Sequence, residues 1–159
     1  MEEIKYVNFK KFIKTYWEKR DIIKEKYMNL CRMLTESPDI TYDVFIMNII
    51  KINENGLILI GYIGHPNNDF FEIVTTGTVF IEAKIIRAGR SVAHIEDIIV
   101  HENYRGKGIS TVIIESLKEY AEYMNCYKII LDCSEEVVPV YEKCGFEKKG
   151  IQMSIYGKH

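Results

Sequence analysis

Apolar positions recur at helical spacing through the first part of the chain. Phe9, Phe12, Ile13, Tyr16 and Trp17, then Ile23, Tyr27, Leu30, Cys31 and Leu34, mark one face. This predicts a helix over about residues 8–34 with its charged positions turned to solvent. Ser37-Pro38-Asp39 interrupts the pattern, and Thr41 is placed to cap a second helix through Phe45, Ile49 and Ile50. After the turn signal Asn53-Glu54-Asn55-Gly56 the pattern changes to short apolar runs of strand length. Residues 57–63 read as a buried strand and 65–69 as a loop. Residues 70–76 and 77–87 read as two strands joined by a turn or bulge near Gly77, and 94–100 as a further strand beyond the turn Ala88-Gly89-Arg90. A helix over about 108–124 carries an apolar stripe of Ile109, Val112, Ile113, Leu117, Tyr120 and Ala121. A strand follows at 127–133, then a short helix at 135–143 with Pro139 in its first turn and Gly145 at its end, and a last strand at 151–156. This order predicts a mixed α/β or α+β fold, one domain spanning residues 1–159.

Charge removes several function classes. With 21 basic and 23 acidic residues among 159, the net charge is −2, so nothing pulls the whole chain toward nucleic acid or a membrane surface. An anionic ligand must be held by a local site. Cys31, Cys126, Cys133 and Cys144 include no CxxC pair, and no metal is expected. Cys133 and Cys144 are expected to be buried. The opening Met1-Glu2-Glu3-Ile4-Lys5 lacks the apolar core of a secretory signal, and the apolar runs are too short to cross a bilayer. The expectation is a soluble cytoplasmic protein with reduced thiols.

The segment Arg105-Gly106-Lys107-Gly108-Ile109-Ser110 lies between a predicted strand and a predicted helix. Two glycines let the backbone turn tightly and approach a ligand. The helix beyond them offers unpaired N–H groups and the positive end of its dipole, which together suit a pyrophosphate. Arg105 and Lys107 add positive charge. A Walker loop would need Ser or Thr after Lys107, where Gly108 stands, and a dinucleotide fingerprint would need glycine at Thr111. On the loop alone, a plain strand-to-helix turn fits as well as an anion site.

The stretch from Glu96 to Ser110 resembles motif A of the GNAT acetyltransferases, whose loop reads Arg/Gln-x-x-Gly-x-Gly/Ala. Arg105 and Gly108 match it, and Ser110 replaces the last small residue. Within that family, His94-Ile95-Glu96-Asp97-Ile98, the run from Cys126 to Cys133, and Tyr141-Glu142-Lys143-Cys144-Gly145-Phe146 resemble the branch whose acceptor is glucosamine 6-phosphate. The resemblance implies a GNAT fold, a central and mostly antiparallel sheet flanked by helices. It also implies acetyl-CoA as donor, an amino sugar phosphate as acceptor on the route to UDP-N-acetylglucosamine, and a homodimer with the last strand near its interface.

Acetyl transfer to an amine needs a positioned thioester, a neutral amine, donors for the developing oxyanion and a proton for the leaving thiolate. Glu96 and Asp97 sit inside an apolar strand, where neighbours point to opposite faces, so one is expected to face substrate and the other a partner or loop. On the residues alone they also suit a structural ion pair. The resemblance places both at the sugar, together with Asp132 at a strand end. It places Ile98, Ile99 and Val100 beside the pantetheine arm, and Tyr141 near the CoA sulfur with Pro139 and Val140 alongside. Lys84, Ile85, Ile86 and Arg87 fall where the family's sugar-phosphate loop begins, and Thr35 aligns with a substrate-contacting threonine. Two departures stand out. Tyr156 occupies the place of a basic residue that reaches the phosphate from the partner subunit, and Val137 that of an asparagine that bonds the CoA arm. The alternatives are a GNAT enzyme for another amine (a protein N-terminus, a lysine or a polyamine) and a non-catalytic acyl-CoA-binding module. Direct attack by the amine is expected, since no His or Cys constellation suggests a covalent enzyme intermediate.

Overall fold

Five strands form one sheet with helices on both faces. The computed structural model describes residues 3–68 and 70–157; Met1-Glu2 and Asp69, the end of the expected 65–69 loop, lie outside the described residues. Strand β1 (Lys5–Asn8) leads into helices α1 (Phe9–Thr15), α2 (Arg20–Cys31) and α3 (Tyr42–Glu54). Strands β2 (Gly56–Gly64), β3 (Phe71–Glu82) and β4 (Ser91–Val100) follow, then α4 (Ile109–Tyr123), β5 (Cys126–Ile130) and α5 (Val138–Lys143). The sheet runs β1-β2-β3-β4-β5 in chain order. Its pairs are antiparallel except β4 with β5, which are parallel across the crossover α4.

Alternation along β2 explains the two layers. Ile58 and Ile60 face a core that α1, α2 and α3 supply with Phe9, Phe12, Ile23, Leu30 and Phe45. Leu57 and Leu59 face the other way, toward Val79, Ala93, Ile95, Leu117 and Ala121. Helix α4 therefore covers one face alone. Ile113, Ile114 and Leu117 are completely buried there. Val112, expected in that stripe, is instead 45 % exposed, because the buried face runs through Ile114. No helix among the described residues is long and apolar enough to cross a membrane.

The structure departs from the predicted elements in four places. The expected helix over residues 8–34 is a short strand and two helices, broken at Tyr16 (φ −113°, ψ 43°). There Tyr16 Oη pairs with a His65 ring nitrogen at 3.2 Å, and the Arg20 guanidinium lies over the Trp17 ring and donates to the Trp17 carbonyl. These contacts hold a bend that periodicity does not register. The two strands expected to meet at Gly77 are the single strand β3, which stops at Glu82, so residues 83–86 are loop and Arg87 opens a 3-10 turn, Arg87–Gly89. Strand β5 ends at Ile130, short of Asp132. The last strand expected at 151–156 is irregular, with Met153 91 %, Ile151 93 % and Ile155 99 % exposed. Among the described residues no strand pairs with it.

The irregularity expected near Gly77 lies across the ladder, in β4. Thr76 pairs with Ile99 and Thr78 with Glu96, so Gly77 alone faces both Asp97 and Ile98. That is a bulge, and Asp97 absorbs the extra residue with a left-handed φ of 52°. The buried Thr75 and Thr76 hydroxyls donate to the Ile99 and Leu59 carbonyls and tie the strands beside it. A Cβ on Gly77 would stand 2.5 Å from the Ile98 Cδ1 and 3.0 Å from the Leu117 Cδ1, so the bulged residue packs where a side chain would be. Gly77→Ala is expected to lower stability by about 1–3 kcal/mol, read as a lower urea midpoint at unchanged slope.

Candidate active site

Strands β4 and β5 part just before the bulge. Their pairing runs from Ser91↔Cys126 to His94↔Ile130 and goes no further, while β4 continues to Val100. The far half of β4 is thus paired only with β3. The His101 N–H donates to the Val74 carbonyl, which sets the register. In that register the N–H and C=O of Val100 and Ile98 point away from β3, toward the edge that β5 has left. A cleft of about 680 Å³ opens in this gap. It is large enough for an extended small-molecule arm.

The glycine loop forms one end of the cleft. Gly106 and Gly108 have φ of +74° and +75°, a conformation that costs other residues energy, and both line the cleft. Gly108 is the N-cap of α4, so the first N–H groups of the helix have no intrahelical acceptor. Ile109 and Ser110 bring that helix start onto the wall. Arg105 also lines the cleft, and its Nε donates to the Val100 carbonyl at 3.1 Å. The Lys107 ammonium donates to the Asn103 carbonyl and sits 5.1 Å from the centre of the Tyr104 ring; Lys107 is not on the wall.

Carboxylates gather beside it. Glu96, Asp97 and Asp132 all line the cleft. Glu96 and Asp97 stand where the left-handed Asp97 interrupts strand alternation; the Asp97 charge also reaches Tyr27 and Cys31 on α2, where, after burial, it helps to raise both pKa values. Burial, then the neighbouring Asp132 and Asp97 charges, raise the Glu96 pKa above the ordinary glutamate value; His94 opposes this weakly. Burial raises Asp97 as well. The Glu82 carboxylate holds His94 at 2.8 Å and also pairs with Lys84, so His94 belongs to a surface ion cluster.

Tyr141 faces the carboxylates from α5. Its ring meets Phe146 edge-on at 6.0 Å, and the Phe146 N–H returns to the Tyr141 carbonyl at 3.1 Å. Phe146 packs against the core beneath α4 and orients this ring. Burial, then the nearby Cys133 and Asp132, push the phenol pKa up, which keeps its proton in place. Val140 lines the cleft and Pro139 does not.

Other expected residues lie off the wall. Ile99 is buried in the α1–α3 core. Thr35 lines a separate, shallow depression with Arg32 and Pro38. Lys84, Ile85, Ile86 and Arg87 sit in the β3–β4 loop; Arg87 lies 5.8 Å over the Tyr127 ring, and Ile85 is wholly exposed. Tyr156 is 89 % exposed. Cys144 is buried as expected, but Cys133 is exposed and lines the cleft, because β5 stops before it. Leu34, Tyr104, Ile114 and Ser134, none of them expected from the sequence, also stand on the wall. Leu34 and Tyr104 carry no chemical signature, and Ile114 is a buried apolar residue of α4 outside the expected stripe. Val137, marked from sequence as the missing asparagine, does stand on the wall.

Comparison with known proteins agrees with this geometry. Residues 12–146 match the model of the Acetyltransferase (GNAT) family. The chain is 44 % identical to glucosamine 6-phosphate N-acetyltransferase 1 of Dictyostelium discoideum over 138 residues, 86 % of this chain and 85 % of that one. It is 36 % identical to glucosamine 6-phosphate N-acetyltransferase of Trypanosoma brucei brucei, over 81 % of this chain and 86 % of that one. Its fold superposes on the crystal structure of glucosamine-6-phosphate N-acetyltransferase from Arabidopsis thaliana with a TM-score of 0.82 and 32 % identity, covering 99 % of this chain and 100 % of that one. A five-stranded sheet split at a bulge, a glycine loop at the start of the crossover helix and a matched family model over most of its length agree: the chain belongs to the GNAT acetyltransferase family.

Proposed function

We propose that this chain transfers the acetyl group of acetyl-CoA to the amine of D-glucosamine 6-phosphate, giving N-acetyl-D-glucosamine 6-phosphate and CoA. One observation carries the reading: an anion-binding helix start and a set of three carboxylates with a tyrosine open onto the same cleft. The relatives named above support the choice of acceptor.

The residues fit the donor. The free N–H groups at Gly108–Ser110 and the positive end of α4 suit the pyrophosphate, and the bare edge at Ile98 and Val100 suits the amides of an extended arm. Bound there, acetyl-CoA supplies the activated acetyl group. Glu96, Asp97 and Asp132 make the acceptor side negative, which attracts an amine in its ammonium form. The raised Glu96 pKa makes that carboxylate a better proton acceptor than an ordinary one, so it takes the proton from the amine directly or through water. The Tyr141 phenol, held protonated, donates to the departing sulfur. The family resemblance assigns the 6-phosphate to Lys84 and Arg87 of the β3–β4 loop, although Lys84 pairs with Glu82 and Arg87 lies over the Tyr127 ring, both off the cleft wall.

Assembly and compartment follow from what is left exposed. We read the protein as a homodimer. Ile151, Met153 and Ile155 alternate along an uncovered C-terminal segment, the pattern of a strand with one apolar face, and a second copy would cover them. All four cysteines are free, which suits the cytoplasm.

Three outcomes test this reading. Thiol release from acetyl-CoA is expected with glucosamine 6-phosphate, with kcat/KM for glucosamine roughly 10²-fold lower or more, since charge-assisted contacts to the phosphate are lost. Equal rates for the two sugars would remove the phosphate from the recognition. Tyr141→Phe is expected to lower kcat roughly 10²-fold with little change in KM for acetyl-CoA, measured by the same assay.

Glu96→Gln should lower kcat/KM yet raise Tm at neutral pH. The folded chain holds the Glu96 pKa above its unfolded value, so above the folded pKa the ionised group costs stability, and below the unfolded pKa that cost is gone. The Tm advantage of the glutamine should therefore shrink as pH falls through the raised value, and the acid limb of wild-type kcat/KM should lie above the ordinary glutamate value.

A further inference from the structure

We propose that Arg105 is a positioning residue that clasps the glycine loop to the end of β4 through its Nε–H, and that its contribution to acetyl-CoA binding comes through this clasp more than through its charge. The inference rests on the acetyl-CoA reading of the cleft but not on the identity of the acceptor.

The segment after β4 is a compact turn. His101 Nδ1 accepts from the Asn103 N–H at 3.3 Å, the Tyr104 N–H reaches the His101 carbonyl at 2.8 Å, and the Arg105 N–H reaches the Glu102 carbonyl at 3.3 Å. The Arg105 side chain then folds back and donates from Nε to the Val100 carbonyl at 3.1 Å. This is the last link before Gly106. Beyond it stand two left-handed glycines, and among the described residues nothing lies within 4 Å of where a Cβ would be on either. The side chain of Arg105 therefore sets where the free loop amides begin.

The bond has a second effect. The Val100 carbonyl points to the unpaired edge, where a bound pantetheine arm would cut it off from water. A carbonyl left without a donor there would oppose binding. Arg105 supplies the donor in advance. That leaves the Val100 N–H and both polar groups of Ile98 as the edge positions for the arm.

Chemistry separates the clasp from a charge. Glutamine carries its Nε2–H₂ the same number of bonds from Cα as arginine carries Nε–H, so Arg105→Gln keeps the donor and removes the charge. Arg105→Met keeps the length and removes both. The test is calorimetric titration with CoA, together with amide hydrogen exchange of residues 101–108 in the ligand-free protein. Arg105→Gln should hold the Kd for CoA within about threefold of wild type, and Arg105→Met should weaken it about tenfold. Exchange should quicken in the methionine variant and stay near wild type in the glutamine variant. Equal loss of affinity in both variants would assign the effect to charge and overturn the clasp. Unchanged exchange in Arg105→Met would overturn it whether or not CoA binds, whereas a wild-type protein that fails to bind CoA while exchange behaves as expected would fault the reading of the cleft and leave the clasp standing.

Discussion

Strand β4 is paired on both sides as far as His94 and on one side beyond it, and the cleft is the space that this change opens. A bulge alone increases twist and bends a strand. Here the bend carries β4 away from β5 while β4 stays bonded to β3, so backbone polar groups are left facing a cavity instead of a neighbouring strand. Burying such groups without partners is costly. A ligand with amides along its length meets that requirement. The constraint that makes the site possible is therefore small: Gly77 has no side chain, so Ile98 can pack over it, and Asp97 can take the left-handed turn.

The same distortion gathers charge. A regular strand would send Glu96 and Asp97 to opposite faces, and a single carboxylate in the cleft would be easier to hold. Around the bulge Glu96 feels both Asp132 and Asp97, and each raises its cost of ionisation. A chain of nearly balanced charge thus holds a negative group of carboxylates and a positive helix start along one cleft. Neither depends on net charge: one is built from three side chains, the other from helix N–H groups.

Much of this was legible in the residues. The glycine loop, the stripe on α4, the buried runs of β2 and β4 and the Thr41 cap all follow from spacing and local chemistry. The irregularity near Gly77 was legible too, but its location was not. A glycine marks where backbone is closely approached, and the extra residue sat on the partner strand. The bend at Tyr16 could not be read, because its cause is a contact with His65, 49 residues away. The end of β5 at Ile130 was hidden for a related reason: residues 131–133 keep a strand-like composition, and only the divergence of β4 removes their partner. That is why Cys133 was expected inside and is found on the wall.

The C-terminal segment carries a consequence for how the molecule is made. Helices and sheet complete their hydrogen bonds and their two cores within one chain, so their formation is a first-order process that dilution does not slow. Ile151, Met153 and Ile155 have no such cover among the described residues. In the homodimer proposed above a second copy would shield them, and the ordering of these last residues would then be second order, lagging behind the rest of the fold at low concentration and keeping pace only when copies are plentiful.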